Sequence, residues 1–114
     1  MGMIDIRLLT DGKQCRGFIS RGHAGYAEAG NDIICSAVSV LLINTVNSVE
    51  TFTDDAFTVD EDDGYLCLKL TGEVSDKTSL LLDSLSLGLH SIEETYGTSF
   101  LKVGEMAIQD KGGV

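Results

Sequence analysis

The stretch AFTVDEDDGYLCLKLTGEVSDKTSLLLDSLSLGLHSIEETYG, residues 56–97, decides the fold class of this chain. Phe57 and Val59 alternate with polar residues, Asp63-Gly64 follows, and Leu66, Leu68 and Leu70 resume the alternation. A period of two interrupted by Asp-Gly specifies a β-hairpin. From Ser75 onward the period changes. Leu81, Leu82, Leu85, Leu89, Ile92 and Tyr96 recur at helical spacing, Ser75 or Asp76 can cap the start, and Gly97 can end the element.

Upstream, Ile4, Ile6 and Leu8 alternate within residues 3–9, Asp11-Gly12 signals a turn, and residues 14–20 read as the returning strand. Residues 33–49 carry Ile34, Val38, Leu41, Leu42 and Val49 at helical spacing. Ile33, Val40, Ile43 and Val46 extend that apolar character to most faces, so this helix needs cover on both sides. A second copy of the chain can supply one of them. Residues 99–108 read as a last strand. The order ββαββαβ predicts an α+β fold, with two helices packed on a mostly antiparallel sheet. Proline, repeats and low-complexity segments are all lacking, so residues 1–114 read as one domain.

With 18 acidic against 8 basic residues, the chain carries a formal charge of −10. That balance argues against a nucleic-acid footprint, which needs clustered Lys and Arg. It suits solubility or a basic partner. No unbroken apolar run reaches the roughly 20 residues of a spanning helix, and no export signal opens the chain, so it reads as soluble and cytoplasmic without membrane contact. Three cysteines, Cys15, Cys35 and Cys67, cannot all pair within the chain, which fits reduced thiols. Their spacing with His23 and His90 does not suit a tetrahedral metal site, and no cofactor or metal is expected. The acidic run Asp60–Asp63 lacks the spaced ligands of a calcium loop and reads as a solvated turn.

Residues 20–47, SRGHAGYAEAGNDIICSAVSVLLINTVN, hold the pattern that carries chemistry. Asn31 or Asp32 can cap the helix, which puts Cys35 in its first turn. Unpaired N–H groups and the positive end of the helix dipole favour an anion there, and a histidine nearby adds to that effect on a thiol. His23 can act as base once the intervening loop folds back. Gly22, Gly25 and Gly30 permit such folding. Asp32 can orient the imidazole, and Ser39 lies one helical turn beyond Cys35 on the same face. A cysteine on an apolar helix is more often inert core, and Cys15, Cys67 and His90 read as packing or surface residues.

GHAGYAEAGNDIICSAVSVL, residues 22–41, resembles the signature of the bacterial ribosomal-processing cysteine proteases, called Prp. That signature joins Gly-His, a glycine-containing loop and Asp-hydrophobic-hydrophobic-Cys-x-Ala-Val-Ser, and no catalytic position departs from it. The resemblance implies a homodimeric cytoplasmic endopeptidase. Its substrate would be a basic large-subunit ribosomal protein precursor, from which it removes an N-terminal extension. Carried over by position, His23 is the base and Cys35 the nucleophile. Gly22, Asp32 and Ser39 support them, and the loop with Gly25 and Gly30 closes on the peptide. The alternative is a non-enzymatic module that binds a ribosomal protein or an assembly intermediate, with Cys35 serving only in packing.

Overall fold

The structure, a computed structural model, describes residues 3–22 and 31–108, with Asn31 and Asp32 described by their backbone alone. Its elements run β1 (Ile4–Thr10), β2 (Cys15–Arg21), α1 (Asn31–Phe52), β3 (Phe57–Asp62), β4 (Tyr65–Leu70), α2 (Asp76–Tyr96) and β5 (Leu101–Ala107). They form one five-stranded sheet in the order β3-β4-β2-β1-β5. Every pairing is antiparallel except β1 with β5. The expected ββαββαβ order and mostly antiparallel sheet are both present.

Alternation within the strands sorts the side chains. Ile4, Ile6, Leu8, Phe18, Leu68, Leu70, Leu101 and Val103 share one face, where Ile34, Val38, Leu42 and Val49 of α1 and Leu82, Leu85 and Leu89 of α2 bury them. Each such side chain contributes about 1.5–3 kcal/mol through removal from water. The opposite face is covered by no element among the described residues. Across one row of it the register places Asp62, Tyr65, Arg21, Asp5 and Lys102 side by side, a ladder in which most charges neighbour their opposites. Arg16, 8% exposed, donates to the carbonyls of Leu70 and Gly72 and pairs with Asp11 at 3.5 Å, locking the start of β2 to the end of β4.

Several boundaries differ from the sequence reading. Strand β1 runs on to Thr10 and β2 starts at Cys15 rather than Gln14, so the connection is Asp11–Gln14, where the Asp11 carboxylate accepts the N–H groups of both Lys13 and Gln14 and holds the turn. Helix α1 starts at Asn31, so Asn31 and Asp32 belong to its first turn instead of preceding it. Asp is favoured there as well, because it complements the helix dipole. Tyr96, expected in the apolar stripe, is 47% exposed as the last residue of α2. Ile33–Phe52 is also long and apolar enough to cross a membrane by length and composition, contrary to the expectation drawn from unbroken runs. Polar residues such as Thr45 and Ser48 interrupt the run without lowering the helix average enough, and both are buried against the rest of the fold.

Topology fixes where α1 begins. Four residues separate the end of α1 from β3, so the C-terminus of α1 lies at the Phe57–Leu70 end of the sheet. A helix of 22 residues spans about 33 Å, longer than any of these strands. Its start therefore lies toward the other end of the sheet, the end that carries the Asp63-Gly64 turn. At that end the Gly22 N–H donates to the Gly64 carbonyl at 2.8 Å. Gly22 has φ +93°, and a Cβ there would collide with the Met3 carbonyl oxygen. At the opposite end Asp55 joins the α1–β3 connection to α2. Its Oδ2 accepts the Thr78 hydroxyl at 2.6 Å, the Ser75 hydroxyl at 2.8 Å and the Ser75 N–H at 2.9 Å, while Ser75 caps α2.

Gly22→Ala should destabilise the protein by roughly 2 kcal/mol or more, through strain at positive φ and the collision with Met3, as read by denaturant unfolding. The hydrogen bonds from Thr78 and Ser75 hold the Asp55 carboxyl below its ordinary value of 3.8. A depressed carboxyl gives stability that is present above its unfolded value and lost as pH falls through the folded one. Melting temperature should therefore fall as pH drops below about 4, and Asp55→Ala should lower it by several degrees at pH 7 while flattening the acid slope.

Candidate active site

Cys35 is the fifth residue of α1 and opens its second turn. Side chains on a helix lean toward its N-terminus, so the thiol lies over the first turn. The N–H groups of that turn have no acceptor within the helix. Cys35 is half-buried. It packs beside the core cluster without being sealed in it, between buried Ile34 and Val38 on one side and exposed Ser36 and Ser39 on the other. Ser39 lies one turn further along the helix from the thiol.

Gly22, the last described residue before the loop, is pinned to Gly64 at the end of the sheet where α1 starts. His23, Gly25 and Gly30 lie outside the described residues, as does the side chain of Asp32. Gly22, Cys35 and Ser39 are thus brought to one end of the molecule by β2 and α1.

The other two thiols have different surroundings. Cys67 is buried on β4, facing away from the helices. Cys15 is partly buried at the far end of the sheet, with its Sγ 3.3 Å from the Gly17 carbonyl oxygen. Burial pushes the Cys15 thiol up, and the carboxylates of Asp83 and Glu105 add to the effect. Cys15 borders a cavity of about 270 Å³ between the β1–β2 turn and α2. His90 is exposed on α2, with Nδ1 3.2 Å from Glu93 Oε1. Packing and surface roles hold for all three. Among the described residues, no three His, Cys, Asp or Glu side chains are placed to hold a metal ion.

Two features of this end lay beyond sequence reasoning. The Arg21 guanidinium stands 5.3 Å from the Tyr65 ring centroid, one residue before Gly22. The acidic run Asp60–Asp63, read only as a solvated turn, is carried to the same end as the start of α1. Cross-strand register decides both, and no local pattern encodes register.

Residues 3–100 match the family model described as cysteine protease Prp. The ribosomal processing cysteine protease Prp of Staphylococcus aureus is 30% identical over 95 residues, covering 82% of this chain and 89% of the relative. Its Bacillus subtilis counterpart is 31% identical over 85 residues, covering 69% and 76%. A crystal structure of the S. aureus protease in complex with a substrate peptide superposes with a TM-score of 0.81 at 25% identity, covering 91% of this chain and 100% of that one. A second, with a covalently linked product peptide, gives 0.77 at 27% identity, covering 93% and 100%. A family match over most of the chain, on a fold shared with peptide-bound relatives, leads to one conclusion: this chain belongs to the cysteine protease Prp family and is a cysteine protease.

Proposed function

We propose that this protein is a cytoplasmic endopeptidase that removes the N-terminal extension of a large-subunit ribosomal protein. Cys35 is its nucleophile and His23 its general base. The observation that carries this reading is the placement of a half-exposed Cys35 over the first turn of α1, at the sheet end where Gly22 hands the chain to His23. The relatives named as ribosomal processing proteases supply the substrate class.

In the proposed reaction the Cys35 sulfur attacks the scissile carbonyl carbon while its proton passes to the imidazole of His23. The tetrahedral oxyanion is met by N–H groups near the start of α1. The C–N bond then breaks, the amine leaves with the proton held by His23, and an acyl-enzyme remains. Water, deprotonated by His23, attacks that thioester and frees the acid product. Asp32 orients the imidazole, Ser39 lies beside the reacting sulfur, and the loop with Gly25 and Gly30 closes over the peptide.

A homodimer completes the reading. On α1, Ile33, Val40 and Ile43 face outward and are 61%, 65% and 50% exposed. Exposed Ser36, a small residue, fills the row between Ile33 and Val40, so the four positions alternate in steps of three and four. That is the spacing of a helix-to-helix seam. Leu80 and Leu87, 69% and 75% exposed, lie on the outward side of α2 in the same layer. An identical copy presenting the same stripe covers this face.

Cys35→Ala should abolish cleavage of the ribosomal protein precursor, read by mass spectrometry, with an unchanged circular dichroism spectrum. Cleavage by the variant would remove Cys35 as nucleophile. Iodoacetamide at pH 7 should label Cys35 at least tenfold faster than Cys15 or Cys67, and equal rates would contradict an activated thiol. Val40→Glu should convert the dimer to monomer in sedimentation velocity, because it places a charge in the centre of the apolar stripe.

A further inference from the structure

The two edges of the sheet are treated differently. On β5 the outward N–H of Val103 donates to Glu93 Oε2 of α2 at 2.9 Å, so a side chain of the fold itself occupies that edge. On β3 nothing does so among the described residues. The Thr71 N–H donates to the Ala56 carbonyl at 2.9 Å, which puts Ala56, Thr58, Asp60 and Asp62 on the β4 side of the antiparallel ladder. The N–H and C=O groups of Phe57, Val59 and Glu61 therefore point outward from the sheet. The whole run from Thr58 to Asp62 is exposed. An unpaired row of this kind is a template for an added strand.

The charges on this edge select the strand. Asp60 and Asp62 stand on the open face of the sheet and Glu61 on the helix face, so an added strand meets carboxylates on both sides. A second copy of β3 would bring like charges together, which disfavours edge-to-edge pairing of the protein with itself. A segment bearing Lys and Arg meets opposite charges instead. Just before them on β3, Val59, 39% exposed, offers an apolar contact. The Asp62 end of the edge leads to the Asp63-Gly64 turn and so to the end of the molecule where Cys35 lies.

We propose that the outer edge of β3 docks a basic, extended segment of the substrate as a sixth strand and so presents the neighbouring scissile bond to Cys35. The inference rests on the proteolytic reading for the identity of the substrate. Backbone pairing with Phe57, Val59 and Glu61 supplies the register, and Asp60, Glu61 and Asp62 supply the preference for Lys and Arg. An extended residue covers about 3.3 Å, so five or six paired residues lie along β3 and the next few reach the start of α1.

The test measures binding apart from cleavage. Fluorescence anisotropy follows a labelled peptide of about 20 residues, spanning the extension–body junction of the ribosomal precursor, as it binds the Cys35→Ala protein. Replacing its Lys and Arg by Gln should weaken binding about tenfold, as should the triple variant Asp60→Asn, Glu61→Gln, Asp62→Asn. Raising the salt concentration should weaken the parent pair more than the triple variant. N-methylation of alternate amides in the basic segment should cost at least tenfold in one phase and little in the other, the signature of a strand bonded along one edge. That measurement needs no protein variant and keeps the test decisive if the triple variant folds poorly. Unchanged affinity for the Gln peptide, or indifference to N-methylation in both phases, overturns the proposal and leaves the acidic edge as protection against self-association. Failure of the parent enzyme to cleave the precursor while the peptide still binds in this way refutes the proteolytic role and not the docking edge.

Discussion

Position 22 is the constraint on which the rest of the site depends. Its backbone passes so close to the Met3 carbonyl that no side chain fits, holds φ at +93°, and spends its N–H on the Gly64 carbonyl. Three segments distant in sequence thereby meet at one point: the start of β1, the exit of β2 and the tip of the β3–β4 hairpin. The residue that follows is His23, so the residue that precedes the proposed base is a glycine whose position is set by main chain alone. Only a residue without Cβ satisfies the clash and the dihedral together. Side-chain repacking cannot move this anchor, which makes it a stable reference for the proposed closure on a peptide.

Helix α1 reconciles two demands. Its inner side carries Ile34, Val38, Leu42 and Val49 into the core and sets the thiol height above the sheet. Its outer side repeats apolar residues that a lone chain leaves in water. A helix with both sides apolar satisfies a hydropathy criterion for crossing a membrane, yet here the inner side is already committed to the sheet and to α2. The same length that reaches across the sheet delivers Cys35 to one end and the short α1–β3 connection to the other. At that far end Asp55 anchors the connection to α2, so the two helices are tied through a carboxylate as well as through apolar contact.

Much of this was legible in the residues. The Asp63-Gly64 turn, the alternation on either side of it and the Ser75 and Gly97 caps are local signals, and the hairpin and α2 stand where those signals place them. The order ββαββαβ followed from the changes of period. Motif residues in 22–41 pointed to the family through their resemblance to its signature, while the thiol at a helix start, the glycine loop and the histidine pointed only to a candidate nucleophile and base. What escaped was governed by register and by side-chain bonds across the chain. Asp11 shifted the first turn by a residue by accepting two N–H groups, and Asn31 and Asp32 joined α1, where an Asp complements the helix dipole. Counting unbroken apolar runs missed a helix whose average hydropathy stays high across scattered Thr, Ser and Asn.

The distribution of charge is the feature a net value of −10 conceals. Arg7, Arg21, Lys69 and Lys102, half of all the cationic residues, stand on the open face of the sheet, where Asp5 and Asp62 sit among them in register. Arg16 is internal and pairs with Asp11. The excess negative charge is therefore displaced toward the helix layer and the β3 edge, rather than spread evenly. On α2 it stands within a helical turn of exposed apolar side chains, Asp76 and Asp83 beside Leu80 and Leu87. On β3 it borders unpaired backbone, where it forbids a like-charged strand and admits a basic one. One acidic composition thus does different work on the two surfaces, and which work it does is decided by whether apolar side chains or free main-chain groups lie beside it.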